Sequence, residues 1–248
     1  MKKSVFISGL FFILISAIGY AQELPAAPSP FRLYNNLSKE MPTFLNGSEA
    51  DLLEQRLRSF NDSTGNQIVV LIIDDLLGYE DWEYATEIGQ KWGVGQKDKD
   101  NGIVFLIKPT GGQGERKTFI SVGEGLEGAI PDALTGQIIN YEVIPYFKEG
   151  EFSAGVNKGV AVLIDLANGE YSADEYAENA GGGGFGLWLV GLFLIFWLVA
   201  FFLGRKNGGG MGGTFYGGGF SSSSGGGFSS SGSFGGGSFG GGGAGGSW

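Results

Sequence analysis

Two short, glycine-marked segments of this chain carry most of its clustered oxygen donors. Asp98, Asp100 and Asn101 lie in Lys97-Asp98-Lys99-Asp100-Asn101-Gly102. Glu124 and Glu127 lie in Gly123-Glu124-Gly125-Leu126-Glu127-Gly128, and Asp132 follows close behind. Gathered at one place, such hard oxygens either repel one another or hold a divalent cation. A pair of strands would gather them. The apolar run Ile103–Ile107 follows the first segment, Thr118–Val122 precedes the second, and the joining loop from Pro109 to Arg116 is polar and glycine-bearing, as hairpin loops are. In an antiparallel hairpin the start of one strand lies beside the end of the other, so the two acidic segments meet at one edge of the sheet. The candidate ligands for Ca2+ or Mg2+ are therefore Asp98, Asp100, Asn101, Glu124, Glu127 and Asp132.

Composition narrows the chemistry. The chain has no histidine and no cysteine, which removes imidazole bases, Ser-His and Cys-His nucleophiles and thiolate metal sites. The net charge is -10. All 26 acidic residues fall between Glu23 and Glu178, whereas four of the 16 basic ones (Lys2, Lys3, Arg205, Lys206) lie outside that stretch. So acidic a central region argues against nucleic acid and anionic lipid as its partners and favours a cationic partner or counter-cations.

Two motif readings fail on their own terms. Gly123 to Gly128 fits the dinucleotide pattern G-x-G-x-x-G, but its strand comes from a hairpin rather than opening a βαβ unit, and its two glutamates would repel a pyrophosphate. Asp98 to Gly102 resembles the start of an EF-hand loop, yet its glycine comes one position early and Pro109 stands where the bidentate glutamate belongs.

The elements that position these residues follow from periodicity. Ser48-Glu49-Ala50-Asp51 reads as a capped helix start, and Leu53, Leu57 and Phe60 continue it with an apolar stripe. Gln67–Ile73 is a strand buried on both faces. Trp82, Ala85, Ile88, Gly89 and Trp92 mark a second helix, which returns the chain so that the Ile103 strand runs parallel to the Ile68 strand. Asp74 and Asp75 then fall at the opposite edge from Asp98 and Asp100. After the hairpin, Pro131 suits a first helical turn with Asp132 just inside it; Leu134, Ile138 and Tyr141 face inward, and Pro145 ends that helix. A last helix carries Val156, Val160, Leu163 and Ala167, with Gly155 and Gly159 permitting close approach to the sheet. Helices before, between and after the strands imply an α/β fold, a compact α/β/α sandwich around a small mixed sheet.

Along the chain, residues 1–21 read as a secretory signal peptide and 22–33 as a proline-rich linker. A folded domain spans 34–178, and a linker at 179–184 ends in the glycine run Gly181–Gly184. The apolar, uncharged stretch 185–203 has the length of one transmembrane helix. Arg205-Lys206 beyond it places the C-terminus in the cytoplasm and the domain outside the cytoplasmic membrane. Residues 204–248, about half glycine, are expected to be disordered.

The domain closely resembles the TPM domain family. The resemblance is carried by Thr64-Gly65-Asn66-Gln67-Ile68-Val69-Val70, Trp92-Gly93-Val94-Gly95, Asp100-Asn101-Gly102-Ile103-Val104-Phe105-Leu106, Gly123 to Gly128 with Asp132, and Pro145 to Phe152. It implies an α/β/α sandwich, divalent-cation binding at the acidic loop edge and, in part of the family, phosphatase activity. Family members often have an aspartate before the first helix where this chain has Asn35 and Asn36. Three readings compete: a cation-binding binding or assembly module with a membrane or envelope protein as partner, a metal-assisted phosphomonoesterase, and a purely structural domain.

Overall fold

The computed structural model describes residues 23–169 and 234–248. The expected signal peptide and the 185–203 span lie outside the described residues, among which no helix is long and apolar enough to cross a membrane.

The sheet has five strands in the order β1-β2-β3-β4-β5. β1 (Tyr34–Asn36), β2 (Gln67–Ile72) and β3 (Gly102–Lys108) are parallel. β4 (Lys117–Val122) closes the expected hairpin antiparallel to β3, with Ile103 opposite Val122. Every residue of β2 is buried, in keeping with a strand covered on both faces. α1 (Gly47–Thr64) turns Leu53, Leu57 and Phe60 inward and contacts β1 and β2. α2 (Asp81–Trp92) packs on β3 and β4. On the other face α5 (Phe152–Ala167) passes under Phe105 of β3, and a Cβ on Gly159 would lie 3.1 Å from that ring. The small residue sets the approach, as its position in the sequence suggests.

Several expectations need correction. The cap of α1 is Asn46, two residues before Ser48. Its Oδ1 accepts the Glu49 amide at 3.0 Å while its own amide donates to Glu49 Oε2 at 2.9 Å, so the reciprocal box is built on an earlier pair. Trp82 and Tyr141 do not face inward; they are 48% and 53% exposed. Pro145 does not end a helix. α3 (Asp132–Gln137) widens into a π turn over Ile138–Val143 and continues as α4 (Ile144–Lys148), with Pro145 in the first turn of α4. The wide turn absorbs the missing proline N–H.

The largest correction concerns the glycine-rich tail. Residues 243–247 form β5, antiparallel to β4, from Lys117 opposite Ser247 to Ser121 opposite Gly243. Phe239 and Trp248 are buried, 3% and 4% exposed. Composition suggested disorder because glycine costs most entropy to order; here, two buried rings and a strand ladder oppose that cost.

Candidate functional site

The hairpin brings the two acidic segments to one end of the sheet, and glycines let their backbones touch. Asp100 holds a left-handed backbone (φ 47°), and its carbonyl accepts the Gly125 amide at 3.1 Å. A Cβ on Gly125 would fall 1.7 Å from the Lys99 carbonyl oxygen, and one on Gly123 2.2 Å from that of Asp100. The glycine pattern thus serves the packing of loop on loop rather than a phosphate.

The six predicted residues divide into distinct roles. Asn101 is buried and fully engaged: its Oδ1 accepts the Gln96 amide at 2.8 Å, and its Nδ2 donates to the Gly65 carbonyl at 3.1 Å and to Asn66 Oδ1 at 2.8 Å. It ties the α1–β2 turn to the α2–β3 loop. Asp98 is exposed. Asp100 and Asp132 grip the tail, with Oδ1 of Asp100 accepting the Ser238 amide and Oδ1 of Asp132 the Gly243 amide, both at 2.6 Å. Glu124 and Glu127 flank it. A Cβ on Gly242 would stand 3.0 Å from both Asp132 Oδ1 and Glu127 Oε1, and one on Gly240 would stand 3.4 Å from Glu124 Oε1 and 3.5 Å from Glu127 Oε1. Among the described residues no group of three or more acidic side chains is arranged to hold a metal ion.

The tail continues from this acidic end along β4. Phe239 lies against Gly89 of α2 and Gly102 of β3, where Cβ atoms would come within 2.7 and 3.0 Å of its ring. Gln90 Nε2 donates to the Phe239 carbonyl at 3.0 Å. Below the strand, Thr86 Oγ1 and Ser121 Oγ lie 3.3 Å apart, and the Ser121 hydroxyl donates to the Gly242 carbonyl at 3.4 Å. At the far end the Trp248 ring packs 4.8 Å from Phe147, with the Arg116 guanidinium 5.9 Å from its centroid, and its carbonyl accepts the Gly114 amide at 3.0 Å. Sequence reasoning missed this strand. The available signal was the set of widely spaced rings, Phe234, Phe239 and Trp248, in an uncharged glycine background.

Asp74 lies at the opposite end of the sheet, as expected. Burial alone would raise its pKa, but hydrogen bonds from the Ser38 hydroxyl and the Lys39 and Glu40 amides, with the Lys39 charge, hold it below its ordinary value. Asn35 and Asn36 belong to that end too. Asn36 Oδ1 accepts the Ser38 amide at 3.0 Å, so neither asparagine joins the acidic edge.

Comparison with known proteins gives a family match and two similar solved structures. A family model described as the TPM domain matches residues 40–166. No curated protein matches the chain. Among solved structures, the N-terminal domain of a protein from P. gingivalis is 22% identical with a TM-score of 0.48, covering 56% of this chain and 84% of that one. The N-terminal domain of a Corynebacterium glutamicum protein is 14% identical with a TM-score of 0.41, covering 62% of this chain and 90% of that one. The family match runs from just before α1 to the end of α5 and takes in half of the sequence: the chain belongs to the TPM domain family.

Proposed function

We propose that this TPM domain is a non-catalytic binding module, exported and held at a membrane by the 185–203 segment, that takes a divalent cation, Ca2+ or Mg2+, at its acidic edge. One observation carries the reading: the Glu127 and Asp132 carboxylates both flank Gly242, each with an oxygen 3.0 Å from where a Cβ there would stand, and Glu124 lies beside the neighbouring Gly240. Carboxylates gathered around one turn of an acidic domain favour positive charge beside them. Two carboxylates suit a partly hydrated ion better than a closed protein cage. The ligand set therefore contracts to Glu127 and Asp132, with Glu124 adjacent, and excludes Asn101, whose amide is spent on loops.

A phosphomonoesterase is less well supported. The described arginines lie elsewhere, at Arg32, Arg56 and Arg58 on or before α1 and Arg116 at the hairpin loop, so a phosphate ester would meet three carboxylates with no guanidinium to receive it. The test is a thermal melt of the full chain with Ca2+, with Mg2+ and with a chelator, alongside a phosphate-release assay. A cation at about 100 times its Kd should stabilise the fold by about 2.7 kcal/mol. That gain should vanish in Glu127→Gln and Asp132→Asn, persist in Asp98→Ala, and come with no phosphate release. Wild type that melts identically in cation and chelator would sink the proposal.

A further inference from the structure

The tail of this chain is not merely covered by the domain; it is selected by a cleft whose shape excludes side chains. A Cβ on Gly243 would lie 2.1 Å from the Ile120 carbonyl oxygen, and one on Gly245 2.8 Å from the Phe119 ring. On the opposite face, a Cβ on Gly246 would lie 2.6 Å from Ile144 and 2.8 Å from Ile139, the wall made by the π turn and α4. Nearer the acidic end, Gly237 would meet the Val94 carbonyl at 2.5 Å and Gly235 that of Gly95 at 2.5 Å. Two buried rings complete the cleft, Phe239 between these narrow points and Trp248 beyond them. β-strand addition of this kind takes affinity from main-chain hydrogen bonds and specificity from side-chain pockets. Here the clash of any Cβ at Gly235, Gly237, Gly243, Gly245 and Gly246 adds a second layer of specificity. No tight turn joins β5 to its neighbour β4, since residues 123–242 separate them in sequence. The cleft itself must therefore set the register of the strand.

We propose that this cleft is a peptide-binding site for a glycine strand carrying two aromatic anchors spaced as Phe239 and Trp248 are, and that a second copy of this chain can supply that strand in place of the chain's own. The ladder and the ring pockets need no metal, so the site operates in chelator and stands apart from the cation reading. Exchange of the strand joins the cleft of one copy to residues 234–248 of the next, a heterologous contact that can propagate.

Two full-length variants separate receptor from ligand. Gly246→Val disables the strand and leaves the cleft intact. Gly89→Leu fills the Phe239 pocket and leaves the strand intact, since the three nearest atoms to a Cβ at Gly89 all belong to Phe239. A fluorescent peptide of residues 234–248 is titrated into each in chelator. Gly246→Val should bind it saturably, wild type at least tenfold more weakly because its own strand competes, and Gly89→Leu weakest of all. Mixed together, the two variants should form a one-to-one complex in sedimentation that neither forms alone. Phe239→Ala with Trp248→Ala serves as a second strand-disabled chain should Gly246→Val fail to fold. Peptide binding without the mixed complex would overturn the exchange between copies, and absence of peptide binding to both strand-disabled chains would overturn the site itself.

Discussion

Each end of the sheet holds aspartate with backbone amides, but the donors come from very different places along the chain. At one end Asp74 receives the Lys39 and Glu40 amides and the Ser38 hydroxyl, 34 to 36 residues away and directly after β1. At the other, Asp100 receives the Ser238 amide 138 residues away, and Asp132 the Gly243 amide 111 residues away. The first grip forms as β1 pairs with β2 and belongs to the same cooperative unit. The second relies on a segment whose departure leaves the β1–β4 ladder whole. The same chemistry is thus structural at one end and removable at the other.

The sharpest way to break this comparison is Gly243→Val, which sets a side chain against the Ile120 carbonyl oxygen. Loss of the buried Phe239 and Trp248 should lower unfolding free energy by about 3–5 kcal/mol in urea titration. Amide exchange should speed up along β4 and stay slow around Asp74. Uniform acceleration across the sheet would show that the two ends are not separable. Asn101→Ala should cost less, about 1–3 kcal/mol, because it leaves part-buried partners at Gln96, Gly65 and Asn66 unsatisfied. It should do so without altering any cation response; an altered response would return Asn101 to the ligand set.

The smallest effect is electrostatic. Asp74 has a lowered pKa in the folded chain, so its contribution is present above its unfolded value near 3.8 and lost as pH falls through the lower folded value. The urea midpoint of Asp74→Asn should therefore fall less steeply than that of wild type below pH 4. Matching acid profiles would mean that Asp74 is no better held than an exposed carboxylate.

Much of the frame was legible in sequence. The unbroken apolar run of β2, the stripe Leu53-Leu57-Phe60 and the hairpin flanked by acidic glycine segments gave the strand directions and put Asp74 opposite Asp100. β1 was missed because three residues are too few for a period to show. Its place is held by Glu54, whose Oε2 accepts the Leu33 and Tyr34 amides at 2.9 and 2.7 Å, a long-range contact without a local signature. Trp82 and Tyr141 misled because a large apolar residue near a helical stripe need not be on it; their neighbours Ala85 and Ile138 carry the burial instead. Within the site, residue type alone could not separate Asn101, which fastens loops, from Glu127 and Asp132, which flank the same tail glycine. The tail was invisible for a deeper reason: composition reports the entropy a glycine segment loses on ordering, and says nothing about a receptor elsewhere in the chain that a Cβ at five of its positions would clash with.

The covered edge of β4 has one more consequence. Without β5, Thr118 to Val122 would offer a row of unpaired amides and carbonyls along a strand rich in branched and aromatic residues, the kind of border on which foreign chains template themselves. With it, the border passes to a strand of glycine, alanine and serine, which lacks the side chains that reward cross-strand pairing. Residues 243–247 would then guard the protein against aggregation, and a cell that lost them to a protease would inherit a folded domain with a sticky seam.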